Sequence, residues 1–213
     1  RDVERSRGLG DVYKRQTSFR FGSEIAGVAN TVLNTLNAPI RLTGNPDMDS
    51  SVHTLAPEKV PDLSQLDAIL VHTNARLLFA AERCMQAGIP YTIMADTSGI
   101  YNLAYDYDRL ANGEKATRTE LRDFESQAAL FNHLDSEDSR SVRSANDPLI
   151  RWMREFSTEQ AREILNNSFD SDKDKDKGTN QNPVVLSTAH KSKGRQWDRV
   201  WVDIDADQSL PFT

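Results

Sequence analysis

The chain has 213 residues, 38% hydrophobic and 27% charged, the proportions of an ordinary globular protein able to bury a core. No run approaches the roughly 18 apolar residues of a membrane-spanning helix, and one cysteine, Cys84, excludes a disulfide framework and a zinc cluster and fits a reducing cytoplasm. A formal net charge of −6 argues against coating nucleic acid through bulk charge, so any phosphate contact must come from a local basic patch.

Residues 1–16, RDVERSRGLGDVYKRQ, carry no apolar period and read either as a non-native segment or as a disordered basic arm. Ser23 is placed to cap a helix whose apolar positions, Ile25, Val28, Ala29, Val32, Leu33 and Leu36, follow the helical period and predict one core-facing side. Just before it, Ser18-Phe19-Arg20-Phe21-Gly22 sets a cation at the positive end of the helix dipole. Arg20 there implies either an anionic partner or a neighbouring carboxylate. Residues 37–67 hold Pro39, Gly44, Pro46, Pro57 and Pro61 and read as connector, with an alternating run from Val52 to Ala56 that fits an edge strand.

Ala68-Ile69-Leu70-Val71 predicts a buried strand. The polar turn His72-Thr73-Asn74 leads into a helix with Leu77, Leu78, Ala81, Cys84 and Met85 inward and Gly88 at its end. Asn74 reads equally as a helix cap and as a ligand contact. Tyr91 to Ala95 is a further short strand. Four helical stretches follow within residues 97–167. The first carries Ile100, Leu103, Ala104, Tyr107 and Leu110 up to Gly113; the second opens on a Thr117–Glu120 capping box before Leu121, Phe124, Ala128, Phe131 and Leu134. The third starts near Asn146-Asp147-Pro148, and the fourth opens on Ser157 with Gln160. The aromatics Tyr101, Tyr105, Tyr107, Phe124, Phe131 and Trp152 fit core positions, with base stacking the alternative. Residues 170–182, DSDKDKDKGTNQN, form a low-complexity loop of self-neutralising charge.

The segment PVVLSTAHKSKGRQWDRVWVD, residues 183–203, reads as a strand, a polar loop and a second strand through Val200, Val202 and Ile204. From Lys191 to Arg199 it holds four basic residues and one acid. A buried strand that ends in such a loop is where α/β proteins place anion contacts; a solvated basic turn is the alternative.

The order Thr188, His190, Lys193, Gly194, Trp197, Asp198 resembles motif V of the UvrD/Rep-type superfamily 1 DNA helicases, in the variant of the bacterial relatives of the F-box DNA helicases. The resemblance implies an α/β fold with a RecA-like parallel sheet of the P-loop NTPase type, the second helicase domain, formed by residues 17–96 and 183–213. Residues 97–167 correspond to a small helical insertion and 168–182 to a flexible charged loop. The segment around Arg20 is similar to motif IV, whose arginine reaches the γ-phosphate of ATP. His72-Thr73-Asn74 is similar to the family's R-T-N turn, with histidine in place of arginine. By the same resemblance Thr188, His190, Lys193, Asn74 and His72 face the DNA backbone, while Gly194 and Gln196 serve the nucleotide. The family has glutamate where Gln196 stands, and an amide is the weaker acceptor. Trp197 is expected to pack beneath the loop and Asp198 to orient it.

The partners implied are single-stranded or partly duplex DNA and ATP, with Mg2+ and ATP held mainly by the other RecA-like domain, in a cytoplasmic, nucleoid-associated setting. No G-x-x-x-x-G-K-[ST], no acidic pair after a strand and no motif VI occur in the sequence, so the chain is expected to be a fragment that does not hydrolyse ATP alone. A non-catalytic nucleic-acid-binding or regulatory α/β module is the alternative, and an unrelated doubly wound domain the third reading.

Overall fold

The computed structural model describes residues 18–56, 59–135, 147–169 and 182–203. Residues 1–16, most of the charged loop at 170–181, Asn146 and Ile204 lie outside the described residues. The chain divides into two compact units, with the division between Lys59 and Val60.

The first unit is built on helix α1 (Ser23–Thr35) and the loop that follows it. Contrary to expectation, the N-cap is Gly22, with no side-chain cap from Ser23. The loop at residues 42–50 packs against this helix end. A Cβ on Gly22 would lie 2.1 Å from the Met48 carbonyl oxygen, and one on Gly44 would lie 2.3 Å from the Gly22 backbone. Asn30 ties the loop down, its side chain donating to the Leu42 carbonyl and accepting from the Leu42 amide, both at 2.8 Å. Because the loop rides on the N-terminal turn, Ala26 is the buried residue of α1, while Ile25, Val28 and Leu36 stay exposed, which corrects the predicted core face. The run from Val52 to Ala56 forms no strand. An alternating pattern becomes a strand only beside a neighbour that takes up its amides.

The second unit holds a four-stranded, all-parallel sheet in the order β2-β3-β1-β4, made of β1 (Ala68–Val71), β2 (Tyr91–Met94), β3 (Val184–Thr188) and β4 (Val200–Asp203). With it are helices α2 (Asn74–Gln86), α3 (Thr97–Ala111), α4 (Gln127–Asp135), α5 (Asp147–Phe156) and α6 (Thr158–Asn166). This is an α/β arrangement consistent with a RecA-like domain. In register, Ile69 lies beside Leu186 and Trp201, so one sheet face packs with α2 in a core that includes Leu77, Leu78, Ile100, Leu103 and Ile164. Trp201, with the Arg83 guanidinium 5.9 Å from its ring centroid, belongs to that face. Val200 and Val202 alternate to the other face and are 38% and 55% exposed.

The helices after β2 mostly follow the expected pattern. Gly113 at φ 72° ends the turn beyond α3, and the Ser157 hydroxyl caps α6 by accepting from the Gln160 amide at 3.3 Å. The second helical stretch does not. No Thr117–Glu120 capping box forms, residues 117–123 are turns and bends, and the helix begins only at Gln127, behind Ser126. The competing interaction is Asp106, a fully buried carboxylate on α3. It accepts from the Thr117 amide at 2.7 Å, the Thr117 hydroxyl at 2.9 Å and the Arg118 amide at 2.9 Å, which commits those donors to the turn.

Burial alone would raise the Asp106 carboxyl, but these hydrogen bonds outweigh it and hold it below the ordinary carboxylate range. Its contribution to stability is therefore complete above the unfolded value near pH ~3.9 and is lost as pH falls through the lower folded value. Asp106→Ala, which strands two amides, is expected to cost about 2–4 kcal/mol at pH 7. In urea denaturation, the gap between the variant and the parent should narrow in the acid range.

Candidate functional site

The pairing of Val71 with Thr188 brings the ends of β1 and β3 together at the carboxyl edge of the sheet. The Ala189 amide extends that pairing, donating to the Val71 carbonyl at 2.9 Å. His72 thus leaves β1 beside Ala189 and His190 leaving β3. Thr73 caps α2, its hydroxyl accepting from the Arg76 amide at 3.3 Å. Asn74, the first residue of that helix, is half-buried and is not the cap. Arg76 pairs with Asp203 at the end of β4 at 2.8 Å, fixing the first turn of α2 to the edge strand.

The loop after Thr188 is a tight, self-bonded turn. The Lys191 and Ser192 amides both donate to the Thr188 carbonyl at 3.0 Å, and the Ser192 hydroxyl donates to the Ala189 carbonyl at 2.9 Å. Gly194 takes φ 87°, with nothing within 4 Å of an added Cβ, so the backbone conformation and not lack of space calls for glycine. His190, Lys191, Lys193, Arg195 and Gln196 are all exposed. On the other flank, β2 leads to Asp96, which caps α3 by accepting from the Ser98 amide and hydroxyl. The Ser98 hydroxyl, its amide and that of Gly99, and more weakly the Lys191 cation, hold the Asp96 carboxyl below its ordinary range. The edge therefore presents a basic turn between the N-termini of α2 and α3, the first capped by Thr73 and the second by the Asp96 carboxylate.

Beyond Gly194 the chain crosses to the amino edge, with Trp197 half-buried on the way. Its return is fixed by Asp67, whose carboxylate accepts from the amides of Asp198 at 3.2 Å and Arg199 at 2.8 Å. Asp67 also donates its own amide to the Arg199 carbonyl at 2.9 Å and accepts from the Val185 amide at 2.9 Å. The loop-orienting carboxylate is thus Asp67, with Asp198 engaged through its backbone. Sequence reasoning missed Asp67, although an acid immediately before a buried strand was a signal. A cavity of about 430 Å³ opens at this amino edge, lined by residues including Gln65, Asp67, Asp198 and Arg199. Parallel α/β sheets hold ligands at the carboxyl edge, and the convergent cations lie there, so the carboxyl edge is the candidate site.

Arg20 lies in the first unit. The Ser18 amide donates to the Thr43 carbonyl at 2.7 Å and the Asn45 amide to the Phe21 carbonyl at 2.8 Å, which clamps the turn on both sides of Arg20. The Arg20 side chain is exposed, and no described carboxylate pairs with it. Beside it Phe19 is 79% exposed, an aromatic that the sequence pattern did not single out. The carboxyl edge of the second unit gathers His72, Asn74, Thr188, His190, Lys193 and Gly194, and Gln196 follows on the same loop. Among the described residues no group of three His, Cys, Asp or Glu side chains could hold a metal ion. No described helix is long and apolar enough to cross a membrane.

No protein-family model matches the chain, and no solved structure matches it. Among curated proteins, it is 25% identical over 206 residues to F-box DNA helicase protein 1 of Schizosaccharomyces pombe. The match covers 88% of this chain and 22% of that protein, so the chain spans about a fifth of the relative's length. The chain is similar to part of a helicase.

Asp67→Ala is expected to cost about 1–2 kcal/mol through the loss of two amide acceptor contacts. Hydrogen exchange of the Asp198 and Arg199 amides should speed up, while amides in α5 keep their protection.

Proposed function

We propose that the chain is part of an ATP-dependent DNA helicase or translocase and contributes a track for the backbone of single-stranded DNA. The observation that carries this reading is the convergence of the 188–194 turn with the His72–Asn74 turn at one sheet edge, through the Val71–Thr188 pairing. The similarity to an F-box DNA helicase supports it.

Thr188, His190 and Lys193, with Asn74 and His72, supply hydroxyl, imidazole, ammonium and amide groups suited to phosphate oxygens and blind to base sequence. Gly194 lets the backbone turn from that track toward the nucleotide, where Gln196 offers an amide to a ribose hydroxyl. The exposed guanidinium of Arg20, on its clamped turn, fits a γ-phosphate whose charge shifts on transfer. ATP with Mg2+, held mainly by the other RecA-like domain, supplies the free energy of the cycle. Arg20 senses the state of that phosphate, and the 188–194 turn carries its DNA contacts along as the two domains close.

Binding of a labelled oligothymidylate to the chain, measured across a salt series, tests the track. Weak binding that fades with salt is expected, and Lys193→Ala should lower the salt slope by about 0.7, the share of one phosphate contact on a single strand. His190→Ala should weaken binding by about two- to fivefold. Binding that ignores both substitutions, or none at low salt, would sink the reading.

A further inference from the structure

Resting on the phosphate-track reading, we propose that His72 and His190 make the DNA grip of this edge proton-linked, tightening it as pH falls from about 8 to about 5.5. The two histidines leave neighbouring strands at the same edge: Val71 pairs with Thr188, the Ala189 amide donates to the Val71 carbonyl at 2.9 Å, and His72 follows Val71 beside Ala189, with His190 one residue farther along. Both are exposed, so a phosphate can reach either without displacing core. An imidazole is the side chain that gains a charge between about pH 5 and pH 8, whereas a guanidinium is charged throughout.

Charged groups on the loop, α2, α3 and β4 surround this edge. The loop itself carries Lys191, Lys193 and Arg195. On α3, Asp96 is held below the ordinary carboxylate range, first by the Ser98 hydroxyl, and so stays anionic. On α2 and β4, Arg76 and Asp203 are engaged with each other at 2.8 Å. A phosphate anion arriving at this edge favours the charged form of an imidazole beside it. Binding and protonation therefore favour one another, and bound DNA raises the proton affinity of the pair as protons raise affinity for DNA.

The test is oligothymidylate binding to the whole chain from pH 5.5 to 8.5 at constant, low ionic strength, because thymine takes up no proton there. The variants are His72→Gln, His190→Gln, the double variant, His72→Arg, and His53→Gln as a control in the first unit. The parent affinity should rise about two- to fivefold per imidazole between pH 8 and pH 5.5. Each single glutamine variant should lose part of that rise, the double variant all of it, and His53→Gln none. His72→Arg should bind at pH 8 more tightly than the parent and with a flatter profile. A parent profile flat with pH, or a rise that survives in the double variant, overturns the proton linkage while leaving the phosphate track standing. Absence of binding at every pH removes the track and this proposal together.

Discussion

Because β1 hydrogen-bonds in parallel to β3 on one side and to β4 on the other, its four residues decide where the loops that leave β1 and β3 emerge. Ala68, Ile69 and Val71 are at most 2% exposed, so the strand cannot slip by one residue without turning Ile69 and Val71 away from α2. A slip would also separate Val71 from Thr188. Core packing and site assembly are one constraint: the register that buries Ile69 beside Leu186 is the register that sets His72 beside Ala189.

The connection from β3 to β4 carries a second constraint. Parallel strands require the chain to return to the opposite edge before pairing again, and residues 189–199 do so without a helix. A bare crossover has no i to i+4 ladder to stiffen it. Order comes instead from its two ends: the Thr188 carbonyl receives two amides at the carboxyl edge, and the Asp67 carboxylate receives two at the amino edge. The polar, exposed middle, from Lys193 to Gln196, is held between these anchors, so cations can sit in water at a defined place.

What could be read from the residues follows the strength of local signals. The run Ala68 to Val71 and the apolar period from Leu77 to Met85 have one reading each, and both elements form as expected. The segment after Thr117 had a local signal for a helix, but the partner that overrides it, Asp106, lies on another helix, and a buried carboxylate outweighs a capping preference of about 1 kcal/mol. The first unit shows the same limit. The residues at 37–50 read as connector because their order rests on close approach of Gly22 and Gly44 and on the Asn30 clamp, contacts that no periodicity encodes. Around the carboxyl edge the residue types were legible from their order, while Asp67 and the role of Thr73 as the cap in place of Asn74 needed the pairing and hydrogen bonds of the fold.

The net charge of −6 does not decide the field at this edge, because local charge and distance count for more than the total. At physiological ionic strength exposed charges are screened over about 8 Å. Some of the acids are committed locally: Asp135 to Arg151 and Arg154, Asp108 to Arg162, Asp203 to Arg76. The turn with Lys191, Lys193 and Arg195 lies between the N-termini of α2 and α3, where the helix dipoles add to the cations and the Asp96 carboxylate offsets part of that charge. An incoming phosphate backbone meets this small positive field at short range and the repulsion of the whole chain only weakly. In the role proposed above, such an edge attracts a strand that is already close without gathering nucleic acid from solution, which suits contacts made and released in turn.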